Sequence, residues 1–242
     1  MHQLFQQPVE TGVAHVAHTS KSDGDLSPSD VEPHLLVERR RALVDRPWFT
    51  CAQVHSDRVL RVSGHEALQG HGSDLERRPV ADGLVTDRVG LVLAVHSGDC
   101  VPVGFVHSSG AVAVAHAGWK GLAAGVLEST VRALRSGLSR VDGDQKIWAA
   151  IGPHIRAVHY EFGATDLHKL TRRFGPQVAS TSLSGTPSLD LTAGVEAELT
   201  RLDVAIAASS ADCTASDPDS YWSHRARNEP GRIALMVWVD HR

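Results

Sequence analysis

The chain has 242 residues, 42% hydrophobic but only 5% aromatic, so Val, Ala and Leu must supply most of the core that a chain of this length can bury. With 24 Lys and Arg against 28 Asp and Glu, its formal charge of −4 gives no basic footprint for nucleic acid and no Lys/Arg run for a membrane surface. The longest apolar stretches, 91–95 and 233–239, have strand length and fall short of a bilayer span, and the N-terminus lacks the basic-then-apolar pattern of a signal peptide.

Residues 20–32 form a polar stretch marked by Ser, Asp and Pro, read as a loop that feeds a helix opened by Pro33. Leu35, Leu36 and Leu43 fall roughly on one face of that helix. Residues 63–82 mix Gly, His and charge with little periodicity and read as a surface loop. Three β-rich runs follow at 91–96, 101–106 and 111–116, and the last two read as a hairpin turning at Ser108-Ser109-Gly110. A helix is expected after Gly118, with Leu122, Val126, Leu127, Val131 and Leu134 on one side and Gly137 as its C-terminal cap. Further on, 147–152 reads as a strand and 165–174 as a short helix. Asp190 is a good N-cap for a helix carrying Val195, Leu199 and Leu202, and 204–208 and 232–239 are late strands. Alternating strands and helices with one hairpin predict an α/β fold whose sheet is mixed rather than purely parallel. No repeat and no long linker divides the chain, so residues 1–242 are read as a single domain.

Cys51, Cys100 and Cys213 make an odd count without a disulfide spacing, which fits reduced thiols and predicts a cytoplasmic location. Fifteen histidines put metal chemistry first among the functions to weigh. Cys100 precedes the outgoing strand of the hairpin and His116 closes the returning one, so thiolate and imidazole lie at the same end. His55, next to a short Val-rich run, is a candidate third ligand from a neighbouring strand. Two nitrogens and one sulfur suit tetrahedral zinc with a water in the fourth position, and copper is compatible with the same set. Against this stands the plainer reading, in which a lone Cys is a small hydrophobe and a lone His a satisfied polar residue.

Anion chemistry is also suggested. Gly118 and Lys120 open a helix directly after His116, where free N–H groups and the helix dipole favour phosphate, while Trp119 reads as core. Arg225, Arg227 and Arg232 lie within one polar loop and would suit a bidentate phosphate clamp. Asp82, Asp99 and Glu161 are the acid/base candidates, although Asp99, adjacent to Cys100, should point to the opposite face. Cys51 and Cys213 match no ligand pattern and read as structural.

Six segments in chain order carry a resemblance: AQVHSDRV, DGLVTDRVGLVLAVHSGDCVPV, AVAHAGWKGLAAGV, IGPHIRAVHYEFG, LDLTAGVEAEL and DCTASDPDSYWSHRARNEPGR. From about residue 50 onward the chain resembles the bacterial polyphenol-oxidase or laccase-like family, also described as peptidoglycan editing factors and purine nucleoside phosphorylases. The resemblance implies a layered α/β sandwich of mixed sheets flanked by helices. It implies a metal on His55, Cys100 and His116, with Arg225 lining the site. It further implies adenosine deaminase and purine nucleoside phosphorylase activities acting on a purine nucleoside and phosphate. The pattern departs at Gly98, where alanine is usual, at His159, where cysteine is common, and at Ala226, often a second arginine. Residues 1–45 lack the family's N-terminal signatures and form a divergent segment. Two other functions are weighed: a copper polyphenol oxidase, and a protein that edits or binds peptidoglycan precursors. The oxidase reading meets a chain with no His-x-His pair and with Met1 and Met236 as its only methionines, so an axial Met is poorly supplied.

Overall fold

The computed structural model describes residues 1–63, 78–136 and 145–241. Its first half contains β1 (His2–Val9), β2 (Gly12–His18), α1 (Pro33–Leu43), β3 (Trp48–Phe49), β4 (Val59–Arg61), β5 (Gly83–Thr86), β6 (Val92–Ser97), β7 (Val101–His107) and β8 (Val112–Ala117). Then come α2 (Trp119–Ala124), α3 (Val126–Ser136), β9 (Ile147–Ile151), α4 (Ala164–Phe174), β10 (Ala179–Thr181), β11 (Pro187–Leu189), α5 (Leu191–Arg201), β12 (Ala205–Ser209), α6 (His224–Arg227) and β13 (Ile233–Asp240). One sheet runs β1-β2-β13-β6-β3 and a second runs β12-β9-β7-β8-β5-β4, with β10 and β11 as a separate ribbon. Both large sheets are mixed, because β3 joins β6, and β4 and β12 join β5 and β9, in parallel.

Side-chain alternation decides how the sheets stack. On β8, Val112 and Val114 enter the layer between the sheets, meeting Val16, Val95, Leu235 and Val237 of the other sheet. The alternate residues Ala113, Ala115 and Ala117 face the opposite way, beneath Leu127, Val131, Leu170 and Val195 of the helices. Leu36 of α1 covers the far side of the five-stranded sheet with Trp48, Ala94, Met236 and Trp238. The outcome is four layers, helix, sheet, sheet and helices, which is the layered mixed α/β sandwich expected. The two sheets approach so closely at Gly104 that a Cβ there would lie 2.6 Å from Val16 Cγ1 and 2.8 Å from Val237 Cγ2.

Several local expectations change. The N-terminal residues, read as lacking a signal pattern and as part of a divergent segment, form the β1–β2 hairpin; Gln and His on its outer positions dilute the alternation that Ala14 and Val16 carry. Leu35 is exposed, and Leu36 alone of that pair is buried. The single helix expected after Gly118 is two helices, because Gly125 adopts φ 103 and ends α2. Ala81 and Asp82, placed by sequence in a surface loop, are buried where the chain enters β5. Most of that loop and the Gly137 cap lie outside the described residues. No described helix is long and apolar enough to cross a membrane.

Candidate metal centre and adjoining clefts

The hairpin register places Pro102 opposite His116 and Gly83 opposite Ala115. His116 therefore continues the Val112–Val114 row, on the same face as Cys100 by the two-residue period. Asp82, one step beyond Gly83, comes opposite His116, whose backbone N–H donates to the Asp82 carbonyl at 2.8 Å. His55 arrives from the loop before β4, not from a strand as expected, and holds a left-handed φ of 61. The donor atoms of His55, Cys100 and His116 all lie within 4.8 Å of one another, and Cys100 Sγ is 3.6 Å from His55 Nε2. A tetrahedral zinc with ordinary Zn–S and Zn–N bonds separates sulfur from nitrogen by about 3.5 Å, the spacing that Cys100 and His55 already have.

Asp82 assembles the centre from behind. Its carboxylate, fully buried, accepts the N–H groups of Val54 (3.2 Å), His55 (2.9 Å) and Ser56 (2.6 Å) and the Ser56 hydroxyl (2.8 Å). These bonds hold the strained turn at His55. The same carboxylate accepts from His116 Nδ1 at 3.0 Å, which leaves the other ring nitrogen for a metal. Burial raises the Asp82 pKa, but the His116 and Ser56 hydrogen bonds outweigh it and bring the carboxyl to about 2. Burial likewise works to raise the Cys100 thiol, but His116 and the hydrogen bonds to both imidazoles carry it down to about 6. Burial works to lower His116, but the Cys100 thiolate and the Asp82 carboxylate outweigh it and raise the imidazole to about 9.

Gly118 sits directly over the donors, where a Cβ would lie 2.6 Å from His55 Cδ2 and 2.8 Å from Cys100 Sγ. With only six residues, α2 has little dipole to offer an anion, and close approach is what this glycine supplies.

Two cavities open on the centre, one lined by all three donors and the other by His55 and Cys100. The larger, about 360 Å³, has Arg78, His96 and Arg232 in its wall. The smaller, about 200 Å³, is lined by Trp119, Lys120, Tyr160 and Arg225. Trp119 is half-buried and edge-on to Phe162, so it packs on the core while also forming cleft wall. Lys120 is exposed above it. Arg225 lies 4.5 Å over the Tyr160 ring and donates to the Glu161 carbonyl at 2.8 Å. Asp99, at φ 118, turns away from Cys100 to accept from Thr214 Oγ1 and from the Arg225 N–H, both at 2.6 Å.

The remaining candidates are placed elsewhere. Glu161 lines a third cavity with His159 and Arg225, which no metal donor reaches, and its exposed carboxylate accepts from Ser182 and Ser184. Arg227 is consumed by the carbonyls of Thr214, Ala215 and Tyr221 and by Glu229. Buried Cys51 has its thiol raised to about 12, chiefly by burial, and buried Cys213 accepts from the Arg156 N–H. Sequence reasoning missed Arg78, His96, Tyr160 and His224, the last of which lines both clefts. His96 carried a signal, since it lies four residues before Cys100 on the preceding strand.

The profile of the family described as "Multi-copper polyphenol oxidoreductase laccase" matches residues 12–240. A purine nucleoside phosphorylase of Streptomyces coelicolor is 38% identical over 183 residues, covering 71% of this chain and 73% of its own. One of Pseudomonas aeruginosa is 31% identical over 216 residues, covering 87% and 83%. Among solved structures, YfiH of Bacillus licheniformis superposes with a TM-score of 0.79 at 26% identity, covering 94% and 93% of the two chains. YlmD of Geobacillus stearothermophilus gives 0.77 at 25% identity, covering 99% and 100%.

Proposed function

The chain belongs to the multi-copper polyphenol oxidoreductase laccase family, and within it we propose a metal-dependent purine nucleoside enzyme that combines phosphorolysis with adenosine deamination. One observation carries the reading. Three convergent donors, with no fourth protein ligand grouped with them among the described residues, stand where two clefts meet. A closed structural zinc site has four protein ligands, whereas three leave a position for a reacting group. The names of the curated relatives support the substrate class, a purine nucleoside and phosphate.

His55, Cys100 and His116 would hold the ion, zinc in this reading, and a bound zinc supplies Lewis acidity and an activated water. The chain's own residues do the rest. Trp119 offers an aromatic face to a purine, with Lys120 beside it and Arg225, stacked on the buried Tyr160, completing the wall. Gly118 keeps the wall over the donors free of a side chain. Arg232 faces the larger cleft, where an anion would enter. In phosphorolysis a phosphate oxygen bonds to C1′ as the C1′–N9 bond breaks and the base leaves with a proton. In deamination water replaces the amino group at C6 and ammonia leaves. Asp82 acts through His116 and the His55 loop, enclosed as it is by donors. Glu161 acts through the carbonyl that steadies Arg225.

A copper polyphenol oxidase is the second reading, favoured by a thiolate–imidazole set that also takes copper. Met236, its candidate axial ligand, is buried on the far side of the five-stranded sheet. The deciding experiment loads the purified protein with zinc or copper and assays adenosine for inosine and for phosphate-dependent adenine release. Neither product from the zinc form, with phenol oxidation by the copper form, would reverse the order of the two readings.

A further inference from the structure

His96 stands on β6 in the wall of the larger cleft, only 6% exposed, and its Nε2 has no hydrogen-bond partner among the described residues. A buried imidazole nitrogen without a partner is costly, and the cost disappears when a ligand supplies the missing group. Burial, first, keeps this ring neutral, and the positive charges of Arg40, Arg78, His116 and Arg232 act in the same direction. Three guanidinium groups thus gather near one unpartnered ring. Arg232 is fixed by three donations from Nη1 to the carbonyls of Glu229, Pro230 and Gly231. It lies against Gly98, where a Cβ would come 3.2 Å from Nη1 and press on the guanidinium. Arg78 touches Ser29 Oγ at 3.4 Å. Asp30, the acidic side chain among the described lining residues, accepts from Ser27. The wall is therefore cationic, with a neutral donor set among its charges.

We infer that His96, Arg78 and Arg232 form a phosphoryl-binding subsite in the larger cleft, beside the metal centre. A phosphoryl group brings negative charge to two arginines that have no carboxylate partner among the described residues, and several acceptor oxygens, one of which takes the Nε2–H of His96. As the phosphate site of phosphorolysis the subsite rests on the function proposed above; as a binding site it stands on this geometry. The phosphoryl group comes either from inorganic phosphate or from the 5′-phosphate of a purine nucleotide.

The test is calorimetry on the zinc-loaded full chain with inorganic phosphate, adenosine and AMP. Arg78→Ala and His96→Leu should each weaken phosphate binding at least about tenfold while adenosine affinity stays within about twofold. AMP binding more tightly than adenosine, with the advantage lost in Arg78→Ala, supports the subsite with a nucleotide as source. Equal affinities, with phosphate binding lost in that variant, support it with free phosphate as source. No phosphate or AMP preference in the parent, or the same affinities in both variants, overturns it. Phosphate binding that depends on Arg78 without any phosphorolysis supports the subsite and sinks only the activity.

Discussion

Asp82 accepts from the ring of His116 through Oδ1 at 3.0 Å, and through the same carboxylate holds the backbone that carries His55. One buried anion thus positions two of three donors that are 61 residues apart in sequence (116 − 55). Asp82→Asn keeps the shape, loses the charge and turns one oxygen into a donor. Metal affinity should fall by about 10- to 100-fold. Competition with a chromophoric chelator measures it; an unaltered affinity would mean that the His55 turn holds itself.

Cys100 supplies the only sulfur among the donors, and its thiol already lies near pKa 6 under the influence of its imidazole neighbours. Cys100→Ala leaves two imidazoles, too few to retain zinc firmly. Metal content by emission spectroscopy should drop from about one zinc per chain to a small fraction of that. A variant that stays fully loaded would place the metal elsewhere.

Arg225 is stacked on Tyr160 in the smaller cleft, across the donors from the Arg78–Arg232 wall. Arg225→Ala should raise KM for the nucleoside roughly tenfold in both reactions, the loss of one charge-assisted contact. KM for phosphate should stay level. A selective rise in phosphate KM would put the anion on the Arg225 side instead.

His154 is fully buried between the Gly152 carbonyl and Thr192 Oγ1, each at 2.8 Å. Burial, with Arg156 nearby, lowers its pKa from 6.5 to about 3. The folded ring stays neutral where the unfolded one binds a proton, so its contribution is complete above pH 6.5 and is lost as pH falls toward 3. Between pH 6.5 and 5 this one group should cost about 2 kcal/mol of stability. Urea unfolding at those two values, compared with His154→Gln, isolates it; parallel losses in both proteins would assign the pH dependence to other groups.

Much of the centre was legible in the sequence because it is local. Cys100 and His116 sit on one hairpin, and parity along its strands puts both on one face. His55 was a candidate from its place beside a Val-rich run, and the resemblance pointed to it again, but nothing in its spacing marks a loop that swings in on Asp82. The five hydrogen bonds of Asp82 were not legible, nor was the gathering of Arg40, Arg78 and Arg232 around His96. Those depend on how β6, the loop before β5 and the segment before β13 meet in space. Trp119 read as core for a sound reason, its size, and is half so: one edge packs on Phe162 while the rest forms cleft wall. The β1–β2 hairpin was obscured because its polar outer face breaks the apolar run on which strand signals rest.

β13 lies between β2 and β6 and pairs with both, although those two strands are made more than a hundred residues earlier. During synthesis the ribosome has delivered every proposed metal donor by residue 116. The five-stranded sheet nevertheless remains split, with an open edge on each half, until residues 233–240 emerge. Arg225 and Arg232 arrive in the same final stretch. A product stalled before residue 225 therefore lacks Arg225, Arg232 and its central strand together. Such a product is a target for quality control because it exposes unpaired backbone.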